Sequence, residues 1–503
     1  MKRQITFLVL ILLIVASVRI GAIPPYPGLG LQEPVRSRIP LENNGRRNAS
    51  SLRAPEINLA PNVLLILVEF PDQSFALENT RLDFDSLANG VHYIYNGATG
   101  SCKQYFSDQS NGKYSPNFNV VGPVMLPQAM AYYGTDTYSG NGDDRYMFDF
   151  VYDACLGADQ MGADFSKYDN NNDGFVDFVY IIYAGVGQAD GGSETTIWPH
   201  AWDLKATLYY GNHNQNKYYA NSATDYYLPQ IDGKTLNNYA CSNELKYSTK
   251  ARCGIGTICH EFSHVLGLPD YYLTTDNAVV SSRNTPGAWS LMGYGNYLNN
   301  GNTPPNYSVY DKYFLGWLEP NALAQSQHVD LPADGKTYYM LAGNEKHVAD
   351  GAYRTDTVYY IENRQQEGWD AFLPGHGMLV WRVIFNEDDW YNNCPNDYVP
   401  RYLLVSAEKR SSPYTTGAAK PEVPFPGKSN VTTYAPFLHN KLINIQEVDG
   451  VVSFEFETTT ISSSVENIET PLSGQWYNLL GQPVDPDVYK GVVIHNNKKY
   501  LLR

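Results

Sequence analysis

Positive charge is in short supply in this chain: 36 Lys and Arg stand against 52 Asp and Glu, a formal charge of −16 at pH 7. The acids are spread along the sequence rather than gathered in blocks. That balance argues against a nucleic-acid partner and suits a soluble extracellular protein with cation sites. Long apolar runs are lacking as well. The run from Phe7 to Val15, behind Lys2 and Arg3, is too short to span a bilayer and has the order of a signal peptide, with cleavage expected after Ala22 or, alternatively, Ala16. No Cys follows it to carry a lipid, and no other stretch reaches transmembrane length. Cysteines number only six, at 102, 155, 241, 253, 259 and 394, and none has the spacing of a Cys-based zinc site. In an exported chain an even count permits three disulfides, and sequence cannot choose among their connectivities. Apolar residues, by contrast, make up 43% and aromatics 14%, with 41 Tyr, which is ample for globular cores. A length of 503 residues implies two or more domains.

Histidine is also sparse, at 10 residues, so two of them in the run His260-Glu261-Phe262-Ser263-His264 stand out. On a helix, positions i and i+4 share a face, and both imidazoles can reach one cation. Glu261, beside the first histidine, can take a proton from a metal-activated water. Gly267 comes three residues after His264, where a left-handed residue ends a helix and turns the chain. Asp270 can then swing back as a third ligand. Three protein ligands with an open fourth position are what a catalytic zinc requires. Cys259 lies within this helix and reads equally well as a buried thiol. Cys241 paired with Cys253 would clamp the loop leading into it.

Residues 23–60, rich in Pro, Gly, Arg and Asn, read as a propeptide or linker, with Arg46-Arg47 and Arg53 as places for trimming. The segment has no Cys, so no thiolate from it can mask a zinc. Order is expected from Asn62, where Val63 to Phe70 forms an apolar run typical of a strand buried on both faces. Helical patterns follow near 80–95, 101–109 and 143–155, and Val176 to Tyr183 forms a second strand. This alternation predicts an α/β domain over 61–318. Beyond it, Tyr338–Leu341, Val358–Glu362, Met378–Val383 and Val451–Phe456 predict a mostly β domain over 319–457. A Thr/Ser-rich linker opens 458–473, and 474–503 forms a small β module, a sorting tail or a terminal hairpin.

Downstream lies Trp289-Ser290-Leu291-Met292-Gly293-Tyr294-Gly295, and with it the chain resembles the metzincin metallopeptidases. Within these it is most similar to the M6, immune-inhibitor-A-like family. The similar pieces are Glu69-Phe70-Pro71-Asp72, Trp198-Pro199-His200, His260 to Tyr271, Phe314-Leu315-Gly316-Trp317 and Gly375 to Trp381. The resemblance covers about residues 60–457 and implies a metzincin-like zinc peptidase fold. It implies Met292 as an apolar floor beneath the metal and Tyr294 as a stabiliser of the tetrahedral oxyanion. Typical metzincins carry a third His where this chain has Asp270, as M6-like members do.

Asp169, Asn171, Asp173 and Asp177 fall at positions 1, 3, 5 and 9 of a calcium-type loop, with Gly174 at the sharp turn. Position 12 is Tyr180 rather than the bidentate Glu, so a structural Ca²⁺ would need ligands from elsewhere. The other reading is a solvated Asn/Asp turn. His200 and His376 are read as structural histidines. The expectation is thus a secreted or cell-surface, monomeric zinc endopeptidase acting on proteins or peptides, with calcium as a further cofactor. The alternatives are a silent binding protein on a peptidase fold and a zinc-dependent amidase or esterase.

Overall fold

The computed structural model describes residues 60–459, apart from 77–79, 138–143, 210–226, 247, 275–284, 344, 349–350, 352 and 409–422, together with short strands on either side. The expected signal peptide and propeptide, and most of the 458–473 linker, lie outside the described residues. The exceptions are Ala60 and a two-residue strand, β1 (Gly21–Ala22), at the expected cleavage point.

The first half is built on β2 (Asn62–Glu69), β3 (Asn117–Met125), β4 (Val179–Val186), β5 (His200–Asp203), a small hairpin of β6 (Gln230–Ile231) and β7 (Lys234–Thr235), and β8 (Asn238–Leu245). Its main sheet runs β1-β5-β8-β4-β2-β3. Strands β3, β2, β4 and β8 are parallel, β5 turns antiparallel against β8, and β1 pairs antiparallel with β5. The apolar run of β2 is continuous because both faces are covered. Val63, Leu65 and Leu67 pack toward α1 (Thr80–Asn89), α2 (Cys102–Gln109) and α6 (Ile255–Val265). Leu64, Ile66 and Val68 pack toward α3 (Met130–Gly134), α4 (Met147–Gln160) and α5 (Leu204–Tyr209). The helix carrying the two histidines, α6, therefore lies on a flat apolar bed on the first face.

The edges of several elements differ from the sequence expectation for local reasons. Strand β4 starts three residues late because Val176 and Asp177 donate their N–H groups to Thr235 and Tyr168, closing the acidic loop. Helix α1 stops at Asn89, where Gly90 donates to Ser86 and His92 takes a positive φ. Strand β8 escapes sequence patterning because its buried run contains Ser242, Asn243 and Glu244. Glu244 is tolerated there because its carboxylate accepts from the N–H groups of Ala76 and Gly185.

Past α7 (Val309–Phe314) the chain is mostly β. Strands β9 (Asn321–Ala322), β11 (Tyr339–Ala342), β14 (Thr357–Arg364), β15 (Gly377–Ile384) and β16 (Tyr402–Val405) form a sheet in the order β16-β15-β14-β11-β9. A second sheet, β10-β19-β18-β17, uses β10 (Gln327–Leu331), β17 (Tyr434–Phe437), β18 (Asn440–Val448) and β19 (Val451–Thr458). Between them, β12 (Glu345–Lys346) pairs with β13 (Tyr353–Arg354), and α8 (Glu387–Tyr391) follows β15. Tyr359, Ile361, Met378 and Val380 face the second sheet, while Tyr360, Leu379, Trp381, Val383, Tyr402 and Leu404 join the same core as α6 and α7. The five-stranded sheet is thus buried on both sides, and one core crosses the boundary at residue 318. Strands from Val465 to Leu502 form a small sheet of their own, whose first member, Val465–Asn467, lies in the stretch read as linker.

Candidate metal centre

Helix α6 begins at a crowded place. A Cβ on Gly256 would lie 1.9 Å from the backbone oxygen of Asn296, so only glycine lets the 295–301 turn approach. It ends as expected: Gly267 takes φ +94° and donates to His264, while Leu268 donates back to Ser263. His260 and His264 lie one turn apart, edge to face, with ring centroids 5.0 Å apart. Each places Nδ1 2.8 Å from a backbone carbonyl, His260 on Leu291 and His264 on Leu268. A carbonyl only accepts, so Nδ1 carries the proton in both rings and Nε2 presents a lone pair.

Both lone pairs point at Asp270. Its Oδ1 lies 3.1 Å from Nε2 of His260 and 3.3 Å from Nε2 of His264, with all three residues buried. In these tautomers the close approach brings acceptors together, and Nε2 of His260 and Oδ1 of Asp270 have no hydrogen-bond partner. Only positive charge reconciles such a cluster. A tetrahedral centre with bonds of about 2.0–2.1 Å has edges of about 3.3 Å, so the spacing fits a zinc-sized ion. Among the described residues, this is the one group of three or more His, Cys, Asp or Glu whose ligand atoms converge, all within 4.8 Å.

The backbone beyond the helix braces these side chains. Leu291 supplies the carbonyl under His260, and Met292 accepts from the N–H of Tyr271 at 2.8 Å. Met292 itself is fully buried in the core cluster that also holds the apolar side chains of α6. Glu261 is fully buried on the same helix. Its carboxylate lies near β4: after burial, its negative charge is the largest influence pushing the Tyr180 hydroxyl well above its ordinary range. Tyr294 is half-buried, packs on Ala189, Trp198 and Tyr297, and sets its ring 6.0 Å from that of Tyr272, two residues past Asp270.

One contributor has no counterpart in the sequence motifs. Asn393, from the turn after α8, accepts the N–H of Asp270 on Oδ1 at 2.6 Å and donates from Nδ2 to Oδ2 of Asp270. The surrounding run of Asp and Asn resembles any loop, so composition alone could not single it out.

The acidic loop forms but does not gather its carboxylates around one point. Asp169 accepts from the N–H groups of Asp173 and Gly174 and is ion-paired with Lys234 at 2.6 Å. Asp173 accepts from Phe175, Asp177 accepts from Asn170, and Asn171 accepts from Asp173. An ammonium thus stands where position 1 of a calcium loop would meet its ion. Among the described residues, the carboxylates of this loop are not a group of three whose ligand atoms converge.

His200 bridges Trp198 O and the Tyr239 hydroxyl inside the sheet, and His376 meets Glu447 at the surface, so both are structural. Among the described residues, no disulfide joins the six cysteines. The expected Cys241–Cys253 clamp does not form: Cys241 contacts His200, and Cys253 contacts Asp190 and Asn243. Cys259 is a buried thiol. Among the described residues, no helix is long and apolar enough to cross a membrane.

Residues 58–318 match the model of the catalytic domain of immune inhibitor A peptidase M6. Immune inhibitor A of Bacillus thuringiensis subsp. alesti is 30% identical over 234 residues, 42% of this chain and 31% of that protein. The pre-pro-metalloprotease PrtV of Vibrio cholerae serotype O1 (strain M66-2) is 26% identical over 292 residues, 50% of this chain and 29% of that protein. The chain therefore spans less than a third of the length of these relatives.

Proposed function

This chain belongs to the immune inhibitor A family of M6 peptidases, and on that premise we propose that it is an exported, zinc-dependent endopeptidase of metzincin type that hydrolyses peptide bonds of proteins. The observation that carries this reading is the convergence of two Nε2 lone pairs and one carboxylate oxygen, with Glu261 buried next to the first histidine. His260, His264 and Asp270 would hold the ion. Zinc bound there supplies Lewis acidity toward the scissile carbonyl and lowers the pKa of water. Glu261 takes the proton of the attacking water on its carboxylate and delivers it to the leaving amine. Tyr294, whose ring lies 6.0 Å from that of Tyr272, donates its hydroxyl hydrogen toward the developing oxyanion. Carbonyls of Leu291 and Leu268 keep both imidazoles in the ligating tautomer throughout.

The test is zinc content and casein cleavage by the full chain beside its Glu261→Ala variant. The wild type binds one zinc and cleaves; the variant keeps zinc and loses at least about 10²–10⁴ in rate, the usual worth of a general base. Zinc in both proteins with cleavage by neither supports a binding protein on this fold. Hydrolysis of small amides or esters with no cleavage of casein supports the amidase or esterase reading.

A further inference from the structure

We propose that Asn393, on the far side of the residue-318 boundary, is a positioning residue that makes Asp270 a one-oxygen metal ligand. The proposal rests on the reading that His260, His264 and Asp270 hold the ion. A carboxylate has two oxygens and can chelate a metal with both. Here the Asn393 amide holds one of them. The backbone N–H of Asp270 can only donate, so the Asn393 atom facing it is Oδ1, and Nδ2 must then face Oδ2 of Asp270. The two hydrogen bonds fix both the main chain and the side chain of Asp270. Oδ1 is left as the oxygen directed at both histidines. A single oxygen from Asp270 keeps the fourth position open for water and substrate.

The amide is itself held by its fold. Asn393 is fully buried and takes φ +55° just past α8, a left-handed position that Asn tolerates and most residues do not. The chain that follows is fastened to the chain that follows Asp270. Asn396 donates to Tyr271 O and Tyr402 O, and Asp397 accepts from the N–H and hydroxyl of Thr274. The rings of Tyr271 and Tyr402 stack 3.6 Å apart with planes 2° from parallel. The third ligand of a site on the first half of the chain is therefore aimed by the β-rich second half.

The experiment measures zinc affinity by chelator competition and apo-protein melting for the full chain, Asn393→Gly, Asn393→Asp and His264→Ala. Glycine keeps the left-handed turn and removes the amide. Aspartate keeps the shape and the acceptor but sets a carboxylate against Oδ2 of Asp270. Both Asn393 variants are expected to bind zinc about 10–100-fold more weakly, the usual cost of losing a ligand's hydrogen-bond partner, with the Asp variant's apo melting temperature close to wild type. Unchanged zinc affinity in the Asp variant overturns the proposal, as does a loss of affinity only in a variant whose apo form is already unfolded. Undiminished zinc binding by His264→Ala would instead overturn the metal-site reading itself, a separate outcome.

Discussion

At the scale of single residues, the site separates side chains whose roles follow from chemistry alone from those that need a neighbour. His260 and His264 are bound to one helical face by their spacing, with Glu261 next to the first, and the structure leaves them where the helix puts them. Tyr294 is different, because its ring is set by packing on Trp198 and Tyr297 and its contribution is confined to its hydroxyl. Tyr294→Phe preserves that packing and removes one donor. We expect kcat to fall by about 10²–10³ with zinc content unchanged, in line with the loss of one oxyanion donor. Full activity in the Phe variant would remove Tyr294 from the mechanism.

At the scale of elements, the 169–177 loop shows why an acidic pattern does not settle its counter-ion. The spacing of Asp169, Asn171, Asp173 and Asp177 is the same whether calcium or backbone N–H groups occupy the oxygens. Here the N–H groups do, with Lys234 from the β6–β7 hairpin supplying the charge against Asp169. Lys234→Met leaves a buried carboxylate without its ammonium, at an expected cost of about 1–3 kcal/mol. Thermal melts with and without millimolar calcium decide the matter. The wild type should be indifferent to calcium and the variant stabilised by it; a wild type that gains several degrees would restore the calcium site. The helix itself was legible because its signals are local: a periodic pair of histidines and a glycine at the left-handed stop. Strand β8 was not, because the partners that permit Asn243 and Glu244 to be buried come from distant segments.

For the whole molecule, the boundary at residue 318 divides a sequence pattern but not a core. Trp317, Tyr310 and Phe314 from the first half share one apolar cluster with Tyr360, Trp381, Trp390 and Tyr402 from the second. Arg364 of the second half, fully buried, donates to the carbonyls of Asn306 and Tyr307 in the first. Cutting there uncovers large aromatics and strips partners from buried polar groups, which folding cannot absorb within a margin of about 5–15 kcal/mol. A fragment of residues 58–318 is accordingly expected to be insoluble or unable to bind zinc, whereas 58–459 folds and binds it. Recovery of a soluble, zinc-binding 58–318 fragment would show that the first half is autonomous.

The sequence by itself determined which residues stand together on α6 and its end: the two histidines, the adjacent glutamate and the glycine stop are fixed by covalent spacing and helical period, whereas the aspartate that follows is held by Asn393 from far along the chain. It also determined which runs become buried strands wherever apolar side chains line both faces. Only the tertiary structure decided that the Lys234 ammonium faces Asp169, that no disulfide forms among the six thiols, and that Asn393 reaches across to Asp270. These are contacts between residues far apart in the chain, and a hydrogen-bonding side chain carries no mark of its partner until the backbone has brought the two within 3 Å.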